Sequence, residues 1–296
     1  MSKKGKSLGN RIVSLMLAVA MVISTFVVAS PIEVEAATKT KNFNGSKASS
    51  TVTIKDSEYR GNTFYLKYKP NKTGYVTLTF KSDTMENRIN SFGSVTLCNK
   101  SKKAIGYREV WDTYYGVAST KTYGVKKNQT YYFKVQCNGG AKITAKTTSV
   151  TKSTGNTKAK AKALTKSKTA KGIMIANENK ADWYKINLTK DSKLRIKFTA
   201  KTNGLTGSTD AYGLLPTTAQ AKAGIKVTFY DKNGKKWSSD SSTNLTLAVT
   251  ENGWDIYRTN IYTGARSGIP KGTYWVKFER MNKYSSGYYT VKWSTF

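Results

Sequence analysis

Two stretches of this sequence return at one fixed spacing. Trp111-Asp112-Thr113-Tyr114 recurs as Trp254-Asp255-Ile256-Tyr257, and Thr130-Tyr131-Tyr132-Phe133-Lys134-Val135 recurs as Thr273-Tyr274-Trp275-Val276-Lys277-Phe278, both 143 residues apart. Two matches at one offset mark an internal duplication. Further pairs follow at shifted offsets. Val76-Thr77-Leu78-Thr79-Phe80 matches Leu194-Arg195-Ile196-Lys197-Phe198, Val95 to Lys100 matches Val227 to Lys232, and Ala141-Lys142-Ile143 matches Tyr289-Thr290-Val291. Loops therefore differ in length, and the second half holds the longer insertion, from Thr199 to Gly224. The expected division is a first module over 38–148, a lysine-rich linker with the start of the second module over 149–172, and the second module over 173–296.

Each matched block alternates apolar and polar residues. Phe64, Leu66 and Tyr68 do so in one half, and Tyr184, Ile186 and Leu188 in the other. A period of two puts one side of a strand on the core and the other in water. Turn residues separate the blocks, as in Asn71-Lys72-Thr73-Gly74 and Lys232-Asn233-Gly234-Lys235. Many short strands joined by such turns predict an all-β fold of two tandem β-sandwiches, jelly-roll- or immunoglobulin-like. The 19 Tyr, 6 Trp and 10 Phe agree with that.

The N-terminus reads as a secretory signal peptide over residues 1–36. Lys3, Lys4, Lys6 and Arg11 precede an uncharged apolar run from Ile12 to Ala29, and Val34 and Ala36 supply small residues for cleavage. The protein is accordingly expected to be secreted or associated with the cell surface. Export permits a disulfide between Cys98 and Cys137. Strand parity sets the two on opposite faces, so bonded and free thiols both stay open.

Charge narrows the partners. The chain carries 50 basic and 17 acidic residues, a net of +33, of which the first 36 residues contribute +2. A surface this basic attracts anionic polymers and responds to salt. Alternation places Lys185, Lys197, Lys277 and Lys292 on outer sheet faces. Residues 149–172 add seven lysines and no acid, a composition that suggests a flexible linker.

The second half resembles the bacterial pre-peptidase C-terminal domain family. The resemblance rests on Asn156 and the Ala-rich run to Leu164, on Asp182-Trp183-Tyr184-Lys185-Ile186, and on Val227 to Gly234. It continues through Lys271-Gly272-Thr273-Tyr274-Trp275-Val276 and Gly287-Tyr288-Tyr289-Thr290-Val291. The first half looks like a diverged copy, with Asn62-Thr63-Phe64-Tyr65 where the second has its Asp-Trp-Tyr motif. The resemblance implies a jelly-roll-like sandwich that accompanies secreted enzymes. It also leaves Glu178 and Asp182 as calcium candidates. Two carboxylates beside Lys180 and Lys185 make a poor site for an ion that wants about six to eight oxygens, so neither metal nor cofactor is expected.

Catalytic chemistry is hard to assemble here. The chain has no histidine, which excludes Ser-His-Asp and Cys-His machinery and the usual catalytic zinc sites. The reading is a non-catalytic binding protein for anionic cell-envelope polymers or extracellular polysaccharide. Tyr115, Tyr257, Tyr262 and Trp275 are the aromatic contact candidates, and the four outer-face lysines supply attraction. A spacer without a ligand, or an accessory to a secreted hydrolase, is the competing reading.

Overall fold

The computed structural model describes residues 38–59, 62–83, 91–113, 116–151, 155–192, 194–202, 225–235, 246–249, 254–258, 270–280 and 283–295. The signal-peptide reading over 1–36 lies outside these. Among the described residues no helix is long and apolar enough to cross a membrane.

The fold is all-β. In the first half the strands are β1 (Thr38–Asn42), β2 (Ser49–Ile54), β3 (Thr63–Tyr68), β4 (Gly74–Ser82), β5 (Phe92–Cys98), β6 (Ala104–Asp112), β7 (Ser119–Val125), β8 (Tyr131–Asn138) and β9 (Ala141–Ser149), with one helical turn, α1 (Asp56–Tyr59), after β2. They form a five-stranded sheet in the order β1-β3-β8-β5-β6 and a four-stranded sheet in the order β2-β9-β4-β7. In the second half the strands are β10 (Lys162–Ala163), β11 (Ala170–Met174), β12 (Asp182–Leu188), β13 (Leu194–Thr202), β14 (Ile225–Tyr230), β15 (Thr246–Val249), β16 (Trp254–Arg258), β17 (Gly272–Arg280) and β18 (Gly287–Thr295). Their sheets run β10-β12-β17-β14-β15 and β11-β18-β13-β16. The second pair repeats the order of the first strand for strand.

Alternation fills the space between the sheets. Val76, Leu78 and Phe80 of β4 meet Phe133 and Val135 of β8 in one core, and Tyr184, Ile186, Val276 and Phe278 lie in the other. Trp111, 1% exposed, stacks on Phe80 at 4.7 Å.

The repeated Trp-Asp-x-Tyr motif does not follow this correspondence. Trp111 sits on β6, at the edge of a five-stranded sheet. Trp254 sits on β16, at the edge of a four-stranded sheet, where the first half has β7. Its constant offset is a coincidence of loop lengths. The other matched blocks fall on equivalent strands. Register also refines the pairing of β3 with β12: Phe64 lies opposite Val135, and Asp182 lies opposite Phe278, the equivalent of Val135. An aspartate thus fills the place of a core phenylalanine. It is fully buried, and its Oδ2 accepts a 2.8 Å bond from the Tyr289 hydroxyl, which lies 3.2 Å from that of Tyr184.

From Gly155 onward the lysine-rich segment is packed against the second sandwich. Trp183 N–H donates to the Gly155 carbonyl at 2.8 Å, β10 pairs parallel with β12, and Leu164 is buried in the second core. The Trp293 indole N–H donates to the Leu164 carbonyl at 2.7 Å. A few apolar and small residues among the lysines suffice to stitch the segment down.

Cys98 and Cys137 are not joined in a disulfide. Cys98 lies opposite Tyr132, whereas Cys137 lies opposite Gly93 on the same strand pair. They are five residues of register apart, about 16 Å at about 3.3 Å per residue. A disulfide requires Cα atoms within about 7 Å.

The two sandwiches meet through their four-stranded sheets. Tyr75 of β4 stacks on Tyr288 of β18 at 4.0 Å, with Val150, Ile173 and Ile175 buried around Tyr75. Ala176 N–H donates to the Gly124 carbonyl at 3.0 Å, and Lys126 pairs with Glu178 at 2.9 Å. Residues Thr38–Phe296 form one compact unit.

The buried phenols predict alkaline lability. Burial pushes Tyr68, Tyr131 and Tyr274 up to about 12, and raises Tyr123, Tyr184 and Tyr289 as well. Because the folded values exceed the unfolded value of about 10, this stability is full below about pH 10 and is lost as pH rises towards about 12. The tyrosinate absorbance of these phenols should therefore appear as a late step of the titration, together with loss of β circular dichroism. Titration of these phenols near pH 10 in a still-folded protein would refute their burial.

Candidate functional site

The residues of β12, β14 and β17 that do not enter the core face outward from the second five-stranded sheet. Trp183 lies opposite Lys277, and Lys185 lies opposite Trp275. On the other side of β17, Thr228 lies opposite Lys277 and Tyr230 opposite Trp275. Aromatic rings and ammonium groups thus alternate along and across the strands. All five of these aromatic and lysine side chains are half-buried. The rings of Trp183 and Tyr230 are 5.0 Å apart, and the Lys277 ammonium is 5.7 Å from the Trp183 centroid while pairing with Glu279. Burial, with the nearby Glu279 carboxylate, pushes the Tyr230 phenol up.

A lysine from the segment before β10 closes over this face. The Lys158 ammonium lies 4.4 Å from the Trp275 centroid and 5.8 Å from that of Tyr230, and it donates to the Gly234 carbonyl at 3.3 Å. The segment can fold back on itself here because residue 155 is glycine: a Cβ there would lie 1.7 Å from the Lys160 carbonyl oxygen. The turn beyond it is held by Lys160 and Ala161 N–H groups donating to the Thr157 and Lys158 carbonyls. Beside this face opens a cleft of about 600 Å³ lined by Lys158, Lys180, Trp183, Lys277, Glu279 and Arg280.

Such a surface has two chemical abilities. Ring faces stack on sugar rings, and ammonium and guanidinium groups bind carboxylate, sulfate or phosphate. Each exposed cation–π contact contributes about 0.5–1 kcal/mol, so the covering lysines can yield to a ligand that offers both a ring and an anion.

The structure divides the sequence candidates. Trp275, Lys185 and Lys277 come together on this face. Lys292 is exposed on β18 of the other sheet, opposite Lys197, whose side chain lies outside the described residues. Tyr257 lies on β16, with its side chain also outside them, and Tyr115 and Tyr262 lie outside them altogether. The calcium candidates share no site. Asp182 is buried against Tyr289, and Glu178 contacts Lys126 and, at 3.8 Å, Lys180. The sequence reading missed Trp183 and Tyr230. Trp183 stands inside the Asp-Trp-Tyr motif that carries the family resemblance, and its parity between Asp182 and Tyr184 sets it outward.

No family model matches the chain, and no curated protein does. Among solved structures it is similar to the pre-peptidase C-terminal domain of collagenase from Bacillus anthracis, at 11% identity and a TM-score of 0.25, over 45% of this chain and 93% of that one. It is also similar to PNGase F, a glycosylasparaginase from Flavobacterium meningosepticum, at 9% identity and a TM-score of 0.27, over 84% and 96%. A third is the N-terminal CBM22-1-CBM22-2 tandem domain of Paenibacillus barcinonensis Xyn10C, at 9% identity and a TM-score of 0.19, over 84% and 91%. At these scores the likenesses are distant and assign no activity to the chain.

Proposed function

We propose that this is an exported, non-catalytic binding protein for anionic cell-envelope polymers or extracellular polysaccharide, built from two copies of one sandwich module over about 38–149 and 155–295. The ligand lies on the outer face of the sheet β10-β12-β17-β14-β15. The observation that carries this reading is the alternation of Trp183, Lys277, Trp275 and Lys185 across two paired strands. Solubility alone favours lysine on an outer face and disfavours half-exposed tryptophan. Export rests on the N-terminal sequence.

The test is retention on purified cell walls, with and without teichoic acid, and on immobilised acidic polysaccharide across a salt series. Retention should weaken steadily with salt. Trp275→Ala should weaken it about tenfold at every salt concentration, while Lys185→Gln should mainly flatten the salt dependence. Absence of retention at low salt on all three surfaces would refute the reading.

A further inference from the structure

The outer face of the first five-stranded sheet has the same pattern at the same positions. Tyr65 lies opposite Lys134, and Lys67 lies opposite Tyr132. These are the register equivalents of Trp183 opposite Lys277, and of Lys185 opposite Trp275. On the neighbouring strand Thr96 lies opposite Lys134 and Cys98 opposite Tyr132, where the second half has Thr228 and Tyr230. The Tyr65 and Tyr132 rings meet edge to face at 6.1 Å. A lysine covers them too: the Lys102 ammonium lies 4.6 Å from the Tyr65 centroid and 5.7 Å from that of Tyr132.

The two covering lysines have different origins. Lys158 precedes its sandwich's first strand, whereas Lys102 stands in the turn between β5 and β6. That turn is built around Asn99, whose Oδ1 accepts from Ser101 and Lys103 N–H groups at 3.0 Å each. Lys102 itself has φ 59°, a left-handed conformation unusual for lysine. The same arrangement of two rings, two strand lysines and a lysine lid is thus reached from unrelated segments. Packing in the core does not require it, because none of these side chains enters the core.

We infer that Tyr65, Tyr132, Lys67, Lys134 and Lys102 form a second ligand face, and that the protein holds one acidic polysaccharide chain at two points. This rests on the proposed role of the Trp183–Trp275 face. Acidic polysaccharide is the ligand class because both faces alternate a ring-stacking group with a cation, which matches a chain of sugar rings bearing carboxylates. A ring-free polyanion would leave the aromatic half of each face without a role. Because the sandwiches meet through their four-stranded sheets, the two ligand faces look away from each other, and only a polymer long enough to pass round the molecule engages both at once. Linked sites of this kind gain about 10²–10⁴-fold over either alone.

The test uses the full chain, short galacturonate oligomers of defined length, and long polygalacturonate, followed by titration calorimetry at low salt. The intact protein should bind two short oligomers. Tyr65→Ala/Tyr132→Ala and the surface variant Lys102→Ala/Lys134→Ala should each bind one, and lose about 10²-fold in affinity for the long polymer. Circular dichroism identifies a variant that has failed to fold, and the lysine variant leaves the rings untouched. One oligomer bound by the intact protein, lost in Trp275→Ala and unaffected in both first-face variants, would overturn the second face and leave the proposed function standing. No oligomer or polymer bound at low salt would overturn the second face, and joined to absence of retention on cell walls it would overturn the proposed function as well. Inorganic polyphosphate bound as tightly as polygalacturonate, and equally by the tyrosine variant, would overturn the polysaccharide class.

Discussion

Replacing Asp182 with alanine is expected to lower the stability of the second sandwich by about 3 kcal/mol. The carboxylate is fully buried and accepts the Tyr289 hydroxyl at 2.8 Å, with the Tyr184 hydroxyl 3.2 Å from that of Tyr289. Both phenols sit inside the core, where no solvent replaces a lost acceptor. Leaving a buried hydroxyl unsatisfied costs about 1–3 kcal/mol, beyond the bond itself and the cavity left by the side chain. Asp182→Asn retains an oxygen acceptor at nearly the same volume and should cost about half as much. Urea denaturation read by tyrosine fluorescence gives the midpoints. Equal midpoints for wild type and Asp182→Ala would show that the carboxylate is not holding the phenols.

Gly124→Ala is expected to break the contact between the sandwiches. A Cβ at residue 124 would lie 2.0 Å from the Met174 carbonyl oxygen and 3.1 Å from the Gly287 nitrogen. Both neighbours are backbone, so no rotamer change relieves the clash. The Gly124 carbonyl also accepts Ala176 N–H, and moving β7 away breaks that bond together with the Tyr75–Tyr288 stack. Overpacking of this kind costs about 1–3 kcal/mol, and more where backbone must move. Each core has its own cluster of strands, so β circular dichroism should persist while the radius of gyration from X-ray scattering rises. If two faces hold one polymer, affinity for long polygalacturonate should fall as well, with short-oligomer binding unchanged. Scattering identical to wild type would refute the expectation.

The sequence carried the strand content and most of the duplication because a sheet with one buried side writes a period of two into its residues. Val76-Leu78-Phe80 and Tyr274-Val276-Phe278 could be placed without coordinates. Equivalence of Trp111 with Trp254 failed because a shared offset tests spacing, while strand identity depends on the loops between. The candidate site was half legible. Parity gave the outward aim of Trp275, Lys185 and Lys277, but their union with Trp183, Tyr230 and Lys158 depends on register and on a chain segment folding back. Lysine-rich composition pointed to a linker, and only the buried Leu164 and the close approach at Gly155 reveal the packed edge.

One residue of the first core comes late in the chain. Ala176 is fully buried in the first sandwich's cluster, although that sandwich's own strands end at Ser149. It lies two residues beyond β11, which pairs with β18, the last of the described strands. Whether the chain emerges from a ribosome or from an export channel, its N-terminal half comes first, so the strands of the first sandwich are out before the segment that seals them can be anchored. During that interval the ring of Tyr75 and the backbone at Gly124 are uncovered. The first half to be made is therefore among the last parts to be finished, and loss of the C-terminal strand is felt at the opposite end of the sequence.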